Sequence, residues 1–177
     1  FSKNYPTSSF LTLLVSGGHT ELIKVGERRE MQRLGRSYDD AAGEAFDKVG
    51  RLLGLSYPGG PAIANIAKKG NSSRFNLPKC KISDKKGGFL KYDFSFSGLK
   101  TAVLRLVENM NLNGDEIPIQ DIAASFERVV AEVLVERTIK CAIDNDLDNI
   151  VVVGGVAAND TLRKMMIGEA CKKSIKV

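Results

Sequence analysis

Two short apolar runs, each followed at once by a pair of glycines, restrict the fold of this chain more than any other feature. Residues 10–15 are followed by Ser16-Gly17-Gly18, and residues 149–153 by Gly154-Gly155. Apolar runs of this length are typical of buried strands. Glycine lets the backbone approach a ligand closely, and successive N–H groups can hold an anion. Because neither pair matches a P-loop or a dinucleotide fingerprint, two tight turns and the wall of a nucleotide cleft explain them equally well.

The rest of the chain alternates between strand and helix patterns. Residues 20–25 and 31–35 predict two more strands, and residues 20–25 form a hairpin with residues 10–15. Apolar residues spaced three and four apart predict an amphipathic helix at residues 40–53. Further helices are predicted just before Gly70 and at residues 97–109, 119–143 and 160–173. This order predicts a mixed α/β domain, with a loop or irregular hairpin at residues 71–92 that stands off the core.

Composition excludes several classes of protein. Of the 177 residues, 43% are hydrophobic and 27% charged, which rules out collagen-like and largely disordered chains. No apolar run approaches the ~20 residues that a membrane span needs. The three cysteines form no close pair and His19 is the only histidine, so neither a disulfide framework nor a zinc site is expected. Because the chain starts at Phe1 and stops as an apolar run begins at Val177, we expect a segment of a longer protein.

The charge of the chain permits an anionic partner without requiring one. Lysine and arginine exceed aspartate and glutamate by five, which is compatible with binding to nucleic acid. Five lysines lie at positions 79, 81, 85, 86 and 91. They could follow a phosphate backbone, but an ordinary solvated loop explains them equally well.

Acidic residues crowd the start of the helix predicted at residues 40–53. Asp39 and Asp40 are expected to cap this helix and to interact with its dipole. Asp47 lies two turns further on, where a carboxylate gains nothing from the dipole. Either a hydroxyl or amine partner in a cleft or simple exposure to solvent would explain it.

Two residues that can carry chemistry are interpreted as structural. His19 follows a glycine turn and could contact a phosphate or transfer a proton, but a surface turn residue is the more ordinary interpretation. Ser97 is interpreted as a helix N-cap and not as a nucleophile, since no histidine lies near it in sequence. Phe94 and Phe96 are expected in the core. No residue is predicted to be catalytic.

Five motifs in order resemble those of one protein family. They are Leu-Val-Ser-Gly-Gly-His-Thr at 14–20, Asp-Asp-Ala-Ala-Gly-Glu-Ala-Phe-Asp-Lys at 39–48, Tyr-Pro-Gly-Gly-Pro at 57–61, Asp-Phe-Ser-Phe-Ser-Gly-Leu-Lys at 93–100 and Gly-Gly-Val-Ala-Ala-Asn at 154–159. They resemble the TsaD family, also called Gcp, of tRNA threonylcarbamoyladenosine transferases. The resemblance implies an actin-like (ribonuclease-H-like) α/β fold with helical insertions. It also implies that residues 1–177 are an incomplete second domain of a two-domain protein.

The resemblance implies an activity and a set of ligand contacts. The family transfers a threonylcarbamoyl group from threonylcarbamoyl-adenylate to the adenosine that follows the anticodon of tRNA. Asp47 matches the carboxylate that holds the ribose hydroxyls, Gly60 matches a position where a side chain would obstruct the nucleotide, and Asn159 matches a contact from the opposite wall. The implied substrate-binding set is Leu14, Val15, Ser16, Gly17, Gly18, Asp47, Gly60 and Asn159.

The resemblance also implies a metal, partners and a location. The family holds one divalent metal, iron or zinc, with a His-x-x-x-His pair and a later aspartate, and this chain contains neither motif. We therefore expect no metal site and no activity in these 177 residues alone. The expected partners are tRNA, threonylcarbamoyl-adenylate, a paralogue and a small ATPase, with no membrane. The Ser-Gly-Gly-His-Thr form indicates a bacterial or organellar member, and a cytoplasmic location is expected.

Three other functions remain open at this point. A non-catalytic relative could act as a scaffold for partner proteins, and it would lack the upstream His-x-x-x-His pair. A phosphotransferase or ATPase of the same superfold would need a catalytic acid outside this chain. The older description of the family as a sialoglycoprotein endopeptidase has little support, because the chain has no His-Glu-x-x-His motif and no credible Ser/His pair.

Overall fold

The computed structural model describes residues 8–84 and 87–177, and its centre is a mixed four-stranded sheet. The strands are β1 (Phe10–Val15), β2 (Thr20–Val25), β3 (Met31–Arg36) and β4 (Ile150–Val153), in the order β3-β2-β1-β4. β1 pairs antiparallel with β2 and parallel with β4, where Leu11 is opposite Ile150. From Leu11 onward, alternate residues of β1 are buried, which shows that one face of the sheet packs against the core. The carboxyl ends of β1 and β4 therefore meet at one edge of the sheet.

In the described part of the chain, five α-helices and one 3₁₀ turn accompany this sheet. They are α1 (Ala42–Leu52), α2 (Gly59–Ala67), α3 (Ser97–Asn113), α4 (Ile119–Asp144), the turn Gly155–Ala158 and α5 (Asp160–Cys171). α4 is apolar on most sides and packs against α2, α5 and β1, which places it in the core. Phe126 of α4 meets the ring of Phe46 of α1 edge-on, with ring centres 5.2 Å apart. In the described part of the chain, no helix combines the length and the apolar character needed to cross a bilayer.

The predicted elements are confirmed, but two predicted helix caps are wrong. The N-cap residue of α1 is Ala41, whose side chain forms no capping hydrogen bond. The N-cap residue of α3 is Phe96 and not Ser97. Asp39 caps α3 instead of α1. Its carboxylate accepts hydrogen bonds from Ser95 Oγ (2.5 Å), Phe96 N (2.8 Å), Ser97 N (3.3 Å) and Ser97 Oγ (2.8 Å). Asp40 likewise forms no cap, and its Oδ1 pairs with Lys48 Nζ at 2.6 Å.

The segment between α2 and α3 is irregular, as predicted, but it does not stand off the core. Leu77 is buried, and Phe75 and Tyr92 pack against the hydrophobic core while remaining partly exposed. Lys79 forms salt bridges with Glu132 and Glu136 of α4, so its charge is already balanced. The predicted lysines 85 and 86 lie outside the described residues.

Candidate functional site

A cavity of about 950 Å³ opens beyond the carboxyl ends of β1 and β4. In α/β folds, ligands bind in crevices at this end of the strands. The glycine loop after β1, the α1–α2 connection, α4 and the start of α5 all contribute to its wall. Its lining includes Gly17, Asp47, Gly60, Glu127, Gly155 and Asn159.

The structure brings together half of the predicted substrate-binding set. Gly17, Asp47, Gly60 and Asn159 all line this cavity, although up to 142 positions separate them in sequence. The other four residues do not line it: Leu14, Val15, Ser16 and Gly18. The first two lie within β1 and pair with its neighbours. The ligand contacts of all eight residues remain predictions.

Some of the backbone N–H groups in the loop after β1 form hydrogen bonds within the loop itself. The N–H groups of Gly18 and His19 donate to Ser16 Oγ, at 3.3 and 3.1 Å. Within residues 8–84 and 87–177, the N–H of Gly17 has no hydrogen-bond partner. A Cβ added at Gly17 would meet no atom within 4 Å, so the space beside it is open. His19 is exposed, which agrees with the interpretation of a surface turn residue.

The two glycines that follow β4, Gly154 and Gly155, have different structural roles. Gly154 has φ of 106°, and a Cβ there would lie 2.2 Å from the carbonyl oxygen of Val15. This glycine is therefore required where the ends of β4 and β1 approach each other. A Cβ at Gly155 would meet nothing within 4 Å, and this residue lines the cavity. The tight turn and the cleft wall, which the sequence left as alternatives, occur side by side.

Gly43 is a site residue that the sequence analysis missed. It lines the cavity, and its N–H donates to the carbonyl oxygen of Ser16 at 3.1 Å. A Cβ at this position would lie 2.7 Å from both that oxygen and the nitrogen of Gly17. Only glycine lets α1 pack this closely against the loop. The signal was present, since glycine is a weak helix former in a predicted helix interior.

Asp47 has a protein partner that neither sequence alternative included. Its Oδ1 accepts a hydrogen bond from the N–H of Gly59, the first residue of α2, at 2.7 Å. This bond satisfies one of the free N–H groups at the helix start. Its second oxygen, Oδ2, has no hydrogen-bond partner in the described part of the chain, and the half-buried side chain lines the cavity. The carboxylate can therefore accept from a further hydroxyl or amine.

Asn159 caps α5 and is itself held by a buried acid. Its Oδ1 accepts from the N–H of Leu162 at 2.9 Å, and its Nδ2 donates to Oε1 of Glu127 at 2.7 Å. Glu127, in α4, is only 7% exposed and also accepts from the hydroxyl of Thr161 at 2.8 Å. Sequence reasoning missed Glu127. The available signal was a single acid between two mostly apolar stretches, residues 122–126 and 129–131.

Charged groups close another part of the cavity wall. Arg128 lines the cavity and donates from Nε to the carbonyl oxygen of Ser72 at 2.9 Å and from Nη1 to Glu132 at 2.7 Å. Burial alone would raise the pKa of Glu132, but hydrogen bonds from Arg128 and Lys79 outweigh it and lower that pKa. These contacts link the segment after α2 to α4.

The described residues contain no matching set of ligands for the implied metal. Among residues 8–84 and 87–177, no group of three or more histidine, cysteine, aspartate or glutamate side chains is placed to hold a metal ion. The iron or zinc of the resembling family therefore does not fit these residues. The predicted lack of a metal in this chain remains a prediction.

Comparisons with known proteins agree over nearly the whole chain. A family model described as TsaD, tRNA N6-adenosine threonylcarbamoyltransferase, matches residues 2–177. Proteins with that name from Prochlorococcus marinus subsp. pastoris and from Prochlorococcus marinus strain MIT 9515 are 92% and 90% identical over all 177 residues. The chain spans about 50% of the length of these curated relatives.

Solved structures with low sequence identity share the fold. The chain is similar to T. kodakarensis HypF, with a TM-score of 0.67 and 15% identity over 96% of this chain and 31% of that one. A second likeness, to full-length HypF in the phosphate- and nucleotide-bound form, has a TM-score of 0.69 and 11% identity over 97% of this chain and 36% of that one. These likenesses confirm the predicted actin-like α/β fold.

Proposed function

The chain belongs to the TsaD family, and from this premise we propose that it forms the adenylate-binding wall of a tRNA N6-adenosine threonylcarbamoyltransferase. The chain would be the incomplete second domain of that enzyme. This assignment agrees with its span of about half the length of the curated relatives.

One observation carries the proposal: four predicted ligand contacts line a single cavity. Gly17, Asp47, Gly60 and Asn159 come from four separate segments and share the 950 Å³ space. Ligand sites of about 300–1,000 Å³ hold molecules of nucleotide size. We propose that this space binds the adenylate part of threonylcarbamoyl-adenylate.

Each group in the wall has a chemical task in this proposal. Oδ2 of Asp47, which has no hydrogen-bond partner among the described residues, accepts from a ribose hydroxyl, while Gly59 keeps Oδ1 in place. The N–H of Gly17 points a partial positive charge at the phosphate. The missing Cβ at Gly60 leaves space for the nucleotide.

The proposed reaction is the attack of an amine on an acyl phosphate. The exocyclic nitrogen of adenosine forms a bond to the carbamoyl carbon, the bond from that carbon to the phosphate oxygen breaks, and the nitrogen loses a proton to water. AMP leaves with the electron pair of the broken bond. Donors that hold the phosphate stabilise this developing charge, and fixed positioning lowers the entropic barrier. No step is assigned to a metal, because the described residues offer no ligand set for one.

The proposed partners follow from the family resemblance, and the proposed location follows from the substrate. The proposed partners are tRNA, a paralogue of this protein and a small ATPase. Because tRNA is the acceptor and the relatives are bacterial, we propose a cytoplasmic location.

Asp47→Asn tests this proposal in the protein at its full natural length. Asparagine keeps an oxygen for the N–H of Gly59, but replaces the oxygen that would accept from ribose with an amide donor. We expect the KM for threonylcarbamoyl-adenylate to rise about tenfold or more, as for the loss of a hydrogen bond to a charged group, with a smaller change in kcat. Glu108→Gln, at an exposed position of α3, is the matched control. An unchanged donor KM in Asp47→Asn would remove Asp47 from the site.

A further inference from the structure

Glu127 is a buried carboxylate in the cavity wall with no cationic partner in the described part of the chain. It is 7% exposed, and no lysine, arginine or histidine among residues 8–84 and 87–177 forms a salt bridge with it. Its neighbour Arg128 pairs with Glu132 instead. Burying a charge is unfavourable unless hydrogen bonds compensate for the lost water. The position of Glu127 therefore depends on its two neutral donors.

Both donors belong to the start of α5. Oε1 of Glu127 accepts from Nδ2 of Asn159 at 2.7 Å, and Oε2 accepts from Oγ1 of Thr161 at 2.8 Å. Asn159 Oδ1 accepts from the N–H of Leu162 at 2.9 Å. An ionised carboxylate can only accept hydrogen bonds. It therefore requires the amide nitrogen of Asn159 to face α4 and the amide oxygen to face the helix N–H.

This arrangement determines which hydrogen bonds Asn159 can form with a ligand. An asparagine amide has two donor hydrogens and two acceptor lone pairs. Glu127 and Leu162 take one of each, which leaves one donor and one acceptor in a set orientation. Asn159, Thr161 and Glu127 all line the cavity. Without the carboxylate, only the N–H of Leu162 would hold the amide, so the orientation of its donor and acceptor would be less firmly fixed.

We propose that Glu127 is a positioning residue that orients Asn159 for the adenylate-type ligand through this pair of hydrogen bonds. The inference rests on the proposed function, since it assumes that the cavity holds the nucleotide. Glu127 acts through Asn159 and does not itself contact the reacting atoms.

Two substitutions separate positioning from charge in the full-length protein. Glu127→Met keeps a side chain of similar length without an acceptor. Glu127→Gln can still accept from Asn159 and donate to Thr161, because the threonine hydroxyl both donates and accepts. With AMP as the probe in calorimetry, we expect Glu127→Met to weaken binding about tenfold and Glu127→Gln less than about threefold. In transfer assays, the donor KM should follow the same order, while kcat changes less.

A double-mutant cycle tests the route through Asn159. On an Asn159→Ala background, Glu127→Met should cause no further loss of AMP affinity, because the positioned amide is already absent. Glu136→Gln, at an exposed position of the same helix, serves as the control. Additive losses in the cycle would overturn the proposal. Equal AMP binding by Glu127→Met and the wild type would also overturn it.

A rescue experiment covers the case in which Glu127→Met does not fold. Asn159→Asp places a second carboxylate against Glu127, and adding Glu127→Gln restores a donor and acceptor pair. We expect the double variant to bind AMP more tightly than Asn159→Asp alone, and equal or weaker binding would contradict the proposal. If Asp47→Asn weakens AMP binding while the Glu127 variants do not, only this inference fails. If substitutions at Asp47 and Asn159 also leave AMP binding unchanged, the proposed function fails as well.

Discussion

Polar and glycine residues have different roles at the start of α1 and in its middle. At the amino-terminal end, Asp39 accepts four hydrogen bonds from the start of α3, and Gly43 packs against the backbone of the loop after β1. In the middle of the helix, Oδ1 of Asp47 accepts from the N–H of Gly59, while Oδ2 has no partner among the described residues. Groups whose contacts are complete hold the fold together. Groups that face a cavity and still have a donor or acceptor without a partner are the candidates for ligand contact.

The largest expected effect is on stability, from Gly43→Ala at the amino-terminal end. The added Cβ would lie 2.7 Å from two backbone atoms that cannot move freely. We expect a loss of about 3 kcal/mol in the free energy of unfolding, as for overpacked sites. Urea denaturation followed by circular dichroism measures it.

Gly17→Ala is the matched control, because its Cβ would meet no atom within 4 Å. We expect its free energy of unfolding to stay within about 0.5 kcal/mol of the wild type. Equal losses in the two variants would contradict the distinction between packed and open glycines.

Asp39→Ala should have the next largest effect. It removes the acceptor for the N–H groups and hydroxyls at the start of α3. Loss of a helix cap lowers the free energy of unfolding by about 1–2 kcal/mol, which corresponds to roughly 2–8 °C in melting temperature for a chain of this size. Scanning calorimetry measures this shift. The cap assignment is wrong if Asp39→Ala melts at the wild-type temperature.

The pH dependence of the Asp39 contribution is the smallest of these effects. Burial alone would raise the pKa of Asp39, but hydrogen bonds from Ser95, Phe96 and Ser97 outweigh it and lower that pKa below the usual value. A carboxylate with a lowered folded-state pKa stabilises the fold above its unfolded pKa of about 4. This stabilisation is lost as the pH falls through the lower, folded-state pKa.

The matching measurement compares wild type with Asp39→Asn by urea denaturation between pH 7 and pH 2. We expect the stability difference to be constant above about pH 5 and to shrink at lower pH. A difference that grows on acidification would contradict the cap.

The sequence predicted the elements well because their signals are local. The bounds of β1 follow from an apolar run that stops at Ser16, and β2 lies between two glycine-containing turns. The apolar pattern of α4 runs from its first residue almost to its last. The cap of α3 could not be predicted this way. Asp39 is 56 to 58 positions from its partners, so the contact exists only in the folded chain.

Only part of the candidate site could be predicted, because some of its contacts leave no local signal in the sequence. Asp47, Gly60 and Asn159 were identified through motif resemblance, while Asp47 and the glycine pairs also stood out from the residues alone. Glu127 was missed because its partners lie 32 and 34 positions away, and because apolar neighbours make its helix look like plain core. Its role depends on tertiary contacts that no local pattern contains.

The most direct test of the central claim is a crystal structure of the full-length protein with AMP bound. We expect the ribose within hydrogen-bond distance of Oδ2 of Asp47, with the phosphate beside Gly17 and the nucleotide reaching Asn159. AMP bound on another surface, with no contact to Gly17, Asp47 or Asn159, would contradict it.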